Sequence, residues 1–203
     1  RQRQMCIRDS AGIVCRRVFN TVKLYAKQRR LVSLMMAHIN EREKNNHMMI
    51  DIQSHIVEFR NGESGKHVFH MDKVIQLLLD KIVQKTDKYP SLWQERILIR
   101  TASALHDIGK IGIDEAILNK PGRLTAEEFE SMKAHTTIGA DMLRNLPRYQ
   151  EERILQIAIE ICRWHHERYD GKGYPDGLVG DEIPISAQLV SVSYTHLRAH
   201  ETS

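Results

Sequence analysis

The sequence predicts a mainly α fold, a helical bundle preceded by a linker helix, and three observations carry that reading. Apolar residues recur at helical spacing in one segment after another. Gly- and Pro-rich loop signals separate the segments, and no alternating apolar and polar run of comparable strength announces a strand. With 203 residues, 41% of them hydrophobic, the chain is long enough to bury one good core.

Val14, Val18, Val22 and Tyr25 recur at helix spacing and are followed by Lys27, Arg29 and Arg30. This stretch resembles the last helix of a receiver domain leading into a linker, which Leu31 to Ile39 continues. The polar run Glu41 to Asn46 marks a hinge or an exposed helical turn, after which Met49, Ile52 and Ile56 restart an apolar face, and Asn61-Gly62 and Ser64-Gly65 break it. Val74, Leu77, Leu78 and Ile82 are expected to face the core on the next helix, which stops before Pro90. A further helix is expected from Leu92 to Leu105, delivering His106 and Asp107 at its end. Gly109 and Gly112 loosen the chain there, and Pro121-Gly122 makes a turn. Thr125 and Glu128 then have the spacing of a capping box, opening a helix that carries Phe129, Met132 and His135. Leu146-Pro147 leads to a helix whose buried stripe is Ile154, Ile157, Ile161 and Trp164, finished by His165 and His166.

Two motifs concentrate chemistry. H-D-I-G-K, at 106–110, places an imidazole beside a carboxylate with a lysine one turn on; H-H-E-R-Y-D-G-K-G-Y-P, at 165–175, places two imidazoles ahead of a glycine-rich loop. Adjacent residues on one regular helix point about 100° apart, so vicinal ligands serve one metal cluster only where a helix ends or where neighbouring ions share them. Both pairs sit where loop signals begin, which suits a metal-dependent phosphohydrolase. Cleaving a phosphodiester needs a nucleophile active at neutral pH and compensation of charge on the phosphoryl oxygens. Divalent ions supply both, by acidifying a water and clamping the oxygens. Imidazoles with carboxylates and no thiolate suit iron or manganese at least as well as zinc.

From Met48 to Ser191 the chain resembles the HD-GYP domains, bacterial phosphodiesterases that hydrolyse cyclic di-GMP. The resemblance runs through E-F-R-N-G-E-S-G-K-H, H-D-I-G-K-I-G-I, N-K-P-G-R-L-T, H-T-T-I-G-A and H-H-E-R-Y-D-G-K-G-Y-P-D-G-L to E-I-P-I-S-A-Q-L-V. It implies an HD-domain helical bundle with two or three divalent ions, iron or manganese. His106, Asp107, His135, His165 and His166 match metal ligands, Asp107 bridging the ions, and Glu63 and His67 match the E-x-x-x-H ligands some members use for an additional metal. Lys110 matches the lysine assigned to the substrate phosphate, which with Asp107 makes up the expected catalytic pair. Asp170, Gly171, Gly173, Tyr174 and Pro175 would line the substrate pocket. The implied protein is the cytoplasmic output domain of a two-component response regulator, with cyclic di-GMP as substrate and a receiver domain upstream; it is compatible with a homodimer through the linker helix. The alternative is a catalytically degenerate HD module that binds a ligand or partner. A hydrolase of mononucleotides or alarmones is disfavoured by the G-Y-P loop.

The chain departs from the family pattern after Val190. An aspartate that serves the family as a metal ligand is replaced by Tyr194, and Asp114-Glu115 stand where three-metal members carry a histidine. The two ends share a property of their own. Met5 to Asp9 can be encoded ATG TGT ATA AGA GAC, whose reverse complement, GTC TCT TAT ACA CAT, translates as the Val192 to His196 pentapeptide. Residues 1–10 and 192–203 are therefore expected to be adapter-derived, 11–47 to be the end of a receiver-like domain and its linker helix, and 48–191 to be an HD-GYP domain truncated on its C-terminal side.

Charge and cysteines exclude other classes. The formal net charge is +4, but Arg1, Arg3 and Arg8 against Asp9 supply +2 of it, so nothing points to nucleic acid. Cys15 and Cys162 lack any C-x-x-C arrangement, which argues against a disulfide framework or a thiolate zinc site. No apolar run approaches a membrane span. His38, His47, His55 and His70 match no motif position and are expected on solvated helix faces, as are the charges of Lys120 and Arg123.

Overall fold

The computed structural model describes residues 2–60, 66–86 and 88–201, with side chains placed over 11–46, 48–57, 60, 69–86 and 88–194. Eight α-helices follow one another among them: α1 (Gln2–Arg60), α2 (Lys66–Lys85), α3 (Leu92–Ser103), α4 (Glu115–Leu118), α5 (Ala126–Lys133), α6 (His135–Arg144), α7 (Arg153–Trp164) and α8 (Ile185–Glu201). No strand occurs among the described residues, only one antiparallel bridge between Asp170 and Val179. None of these helices is long and apolar enough to cross a membrane.

The chain divides into two compact units, Arg1–His47 and Met48–Ser203. In the first, residues 11–46 are helical and exposed, the polar run Glu41 to Asn46 included. In the second, α7 packs against α3, α6 and α8, while α2 packs against α3 and α8. The amphipathic pattern of α7 explains its central place. Leu155, Ile157, Ala158, Ile161 and Cys162 are all buried, and a fully buried residue of the size of Ile161 contributes roughly 1.5–3 kcal/mol. They meet Ile99 and Ala102 of α3, Ala140 and Leu143 of α6, and Leu189 and Val190 of α8 in one core.

Three details differ from the sequence reading. On α2 the buried face is Met71, Ile75 and Leu79, while Leu77 is 64% exposed and Leu78 only partly buried. The run Leu77 to Leu79 offers two overlapping apolar stripes, and packing against α3 and α8 selects the one that the alternative register places inside. On α7, Leu155 is buried and Ile154 only partly so, and Trp164 is half-buried because its indole N–H donates to Asp176. His135 does not share a helix with Phe129 and Met132. α5 ends at Lys133, and His135 opens α6. The Thr125–Glu128 capping box is present at the start of α5.

The last turn of α1 is tied to the segment after the H-D motif. Ser54 donates its hydroxyl to the Ala104 carbonyl at 2.6 Å, and the Arg60 guanidinium donates to the carbonyls of Lys110 (3.3 Å), Ile111 and Ile113 (2.9 Å). Five donors in a fixed fork let one arginine satisfy several carbonyls that a loose loop would leave to water.

Candidate active site

Three helix ends converge on one place. His106 and Asp107 lie in the turn that follows α3 and leads into the 3₁₀ helix Ile108–Gly112; His135 opens α6; His165 and His166 follow the last turn of α7. The 3₁₀ helix lies against α6 so closely that a side chain at Gly109 would put its Cβ 1.9 Å from the His135 carbonyl oxygen and 2.5 Å from the Gly139 nitrogen. Glycine at 109 is thus what lets Asp107 reach His135.

Three of the imidazoles are held alike. The Nδ1–H of His106 donates to the Ser103 carbonyl at 2.9 Å, that of His135 to Met132 at 2.7 Å, and that of His165 to Ile161 and Cys162 at 3.0 and 3.1 Å. A carbonyl only accepts, so each Nδ1 carries a proton, and in the neutral form of the ring Nε2 turns a lone pair inward. Those inward atoms meet the carboxylate. His106 Nε2 lies 3.0 Å from Asp107 Oδ2; His135 and His165 Nε2 lie 3.3 and 3.7 Å from Oδ1, and 3.4 Å from each other. Asp107 Oδ1 is buried and accepts no well-formed hydrogen bond among the described residues. Inward-facing ring nitrogens gathered round a buried carboxylate oxygen form a site that fits a cation. Donor atoms of Asp107, His135, His165 and His166 all lie within 4.8 Å of one another, and this group can hold a metal ion.

The electrostatics agree for His135, His165 and His166, whereas at His106 burial is outweighed by the adjacent Asp107 carboxylate, which raises the ring above its usual value. Burial opposes the charge of Asp107, but the adjacent His106 and Lys110 outweigh it and hold the carboxyl well below its usual range. Burial pushes the His135 ring down to about 4, and also lowers His165 and His166, the latter further depressed by its neighbouring imidazoles. Neutral rings and an ionised carboxylate are the forms that ligate metal. Burial likewise raises the Cys162 thiol, which stays protonated and donates to the Leu105 carbonyl.

The structure therefore brings Asp107, His135, His165 and His166 together, with His106 beside them on the other oxygen of Asp107. Lys110 reaches the same oxygen, its Nζ 3.0 Å from Oδ2. Glu63 and the side chain of His67 lie outside the described residues. In the loop, Asp170 is engaged locally: Arg168 and the Lys172 amide hold its carboxyl at about 2. Gly171 takes φ +72° in that turn, and the Tyr174–Pro175 peptide is cis. Tyr174 stacks on His166, ring centroids 4.7 Å apart and planes at 22°. Tyr194, where the resemblance leads one to expect an aspartate, meets the His166 ring edge-on at 5.6 Å.

Sequence reasoning missed Glu167. Its side chain is buried, and its carboxylate accepts from the amides of Asp176 (2.7 Å), Gly177 (2.9 Å) and Leu178 (3.1 Å). The signal was an acid directly after two candidate ligands. Also missed was Asp176, which accepts a bidentate pair from Arg163 and the Trp164 N–H.

Comparisons with known proteins agree with this geometry. An HD domain family model matches residues 29–201. Among similar curated proteins, the cyclic di-GMP phosphodiesterase response regulator RpfG of Xanthomonas campestris pv. campestris is 34% identical over 194 residues, covering 95% of this chain and 48% of that protein. A cyclic di-GMP phosphodiesterase of Thermotoga maritima is 42% identical over 145 residues, 71% of this chain and 36% of its own length. The 3'3'-cGAMP-specific phosphodiesterase 2 of Vibrio cholerae serotype O1 is 34% identical over 175 residues, 81% of this chain and 31% of its own. The chain thus spans about half or less of the length of these relatives. With the family match running over most of its residues, the chain belongs to the HD-domain family and carries the motifs of the HD-GYP branch.

Proposed function

We propose that this chain is the catalytic portion of a metal-dependent phosphodiesterase that hydrolyses cyclic di-GMP, the output domain of a response regulator whose receiver lies upstream. The observation that carries the reading is the set of inward-facing imidazole Nε2 atoms around Asp107. The substrate is supported by the names of the relatives. His106, Asp107, His135, His165 and His166 would hold two or three divalent ions, iron or manganese, with Glu63 and His67 as further ligands. When bound, the ions supply an acidified water and charge compensation at the phosphoryl oxygens.

The chain's own residues do the rest. Asp107 offers one oxygen towards His106 and the other towards His135 and His165, and in this reading it would be the ligand shared between ions. Lys110, held beside that carboxylate, lies at the edge of the cluster, where a phosphate oxygen would share its ammonium as negative charge grows. The loop Asp170, Gly171, Gly173, Tyr174 and Pro175 would bound the substrate. The test is anaerobic loading with Fe²⁺ or Mn²⁺ and an assay on cyclic di-GMP, with 3'3'-cGAMP as comparison. Linearised product supports the reading. Metal and nucleotide bound without turnover would favour the degenerate binding module. Tyr194 at the aspartate position predicts turnover below that of a chain with the carboxylate there.

A homodimer through α1 belongs to the same proposal. Cys15, Val22, Arg29 and Met36 repeat every seven residues, and Val18, Tyr25, Val32 and Ile39 repeat between them at the a-to-d offset, most of them exposed apolar residues. That spacing suits the seam of a two-stranded coiled coil, in which Arg29, exposed in the single chain, would become buried and fix register at some cost in stability.

A further inference from the structure

Three of the four imidazoles around Asp107 are tethered through Nδ1 to a backbone carbonyl, but no carbonyl takes the His166 ring among the described residues. The orientation of a ligating imidazole needs some such partner. For His166 it is Tyr174: the two rings are stacked at 4.7 Å and 22°, and Tyr174 is in turn met by the ring of Phe129 at 6.3 Å and the Lys133 ammonium at 5.5 Å.

Tyr174 is itself held from the residue after His166. Its amide donates to the His166 carbonyl at 3.3 Å. Gly173 lies so close to the 167–168 backbone that a Cβ there would come within 2.4 Å of the Glu167 Cα. The return of the loop, Asp176 to Leu178, is gathered by three amide hydrogen bonds onto the buried Glu167 carboxylate. Three amide donors on one buried carboxylate make this clamp expensive to open, since losing them would leave the Glu167 charge buried without partners.

We propose that Tyr174 and Glu167 are positioning residues for His166: the Glu167 clamp folds the loop back, and the loop lays the Tyr174 ring on the imidazole and fixes its direction towards the cluster. This rests on the metal-binding part of the proposed function and assigns Tyr174 a task towards the metal, where the sequence suggested contact with substrate.

The test is Mn²⁺ affinity of the full chain by chelator competition, beside metal-free thermal unfolding and steady-state kinetics. Tyr174→Phe keeps the ring and should bind Mn²⁺ as the parent does. Tyr174→Ala should weaken Mn²⁺ binding by about 10- to 100-fold, the range for loss of an outer partner of a metal ligand, with the metal-free unfolding temperature nearly unchanged. Glu167→Ala should weaken it similarly if it folds, and Glu167→Gln, which keeps one acceptor oxygen, should fall between. Parent-like Mn²⁺ affinity in Tyr174→Ala overturns the proposal, whether or not KM for the cyclic dinucleotide rises; so does a loss in Tyr174→Phe. Because affinity is read on metal alone, a chain that binds Mn²⁺ but never turns over defeats the phosphodiesterase reading and leaves this one standing or falling by itself.

Discussion

A single carboxylate organises the site. Asp107 stands between three imidazoles and one ammonium, and its two oxygens face different partners. Asp107→Ala should therefore abolish both metal content and turnover, since the remaining rings keep their lone pairs turned on one another with no negative charge to hold a dication. Lys110→Ala removes a cation, which metal does not need. Near-normal metal content with kcat down on the order of a hundredfold is expected, and elemental analysis beside kinetics separates the two variants. Loss of metal in Lys110→Ala with full specific activity per bound ion would show the lysine to be structural. Tyr194 supplies the complementary gain. It meets the His166 edge, so Tyr194→Asp should place a carboxylate beside the cluster and tighten Mn²⁺ binding by about tenfold or more, measured by chelator competition. These candidate ligands were legible as residue types in ordered motifs. Which Nε2 faces which oxygen was not, because the tethers run to carbonyls that no side-chain pattern reveals.

Elements, rather than side chains, decide where the motifs meet. The contact of the 3₁₀ helix with α6 passes through Gly109 and Gly139, where backbone touches backbone. Gly109→Ala leaves its methyl nowhere to go, so it should destabilise the fold by about 3 kcal/mol or more and weaken Mn²⁺ binding by moving Asp107 away from His135. Denaturant unfolding reads the first effect and chelator competition the second. The sequence showed a glycine that loosened the chain after H-D, but the close approach depends on an element that comes 30 residues later. The same limit explains α2: periodicity established the helix, and the choice between two apolar stripes waited for its neighbours. For α1, the heptad seam predicts that mild oxidation couples Cys15 to Cys15 of a second copy, with Val32→Asp preventing it. Non-reducing electrophoresis checks this, and an antiparallel or monomeric α1 gives no such product.

At the scale of the whole molecule, every buried residue among the described ones lies at or beyond Ser54, and the main buried cluster draws on α2, α3, α6, α7 and α8. The helical class was readable because each of these segments carries its own period, and the sequence placed a boundary between residues 47 and 48, whereas the exposure of the stretch before that boundary shows only once burial is known. The metal donors come from three places along that core, after α3, at the start of α6 and after α7. An ion joining them links elements that only the packed state brings together, so binding is coupled to folding. Mn²⁺ at a hundred times its dissociation constant should stabilise the chain by about 2.7 kcal/mol, while Asp107→Ala should gain nothing. The same reasoning fixes what removal of residues 1–47 does. Since no buried side chain among the described residues comes from that stretch, the shortened protein should unfold, metal-free and dilute enough to be monomeric, within a few degrees of the full chain, and should show the same Mn²⁺-dependent rise. Calorimetric or circular-dichroism melts of the two proteins with and without Mn²⁺ decide it: loss of the metal-dependent rise on truncation would mean that the stretch supports the cluster, against the burial pattern.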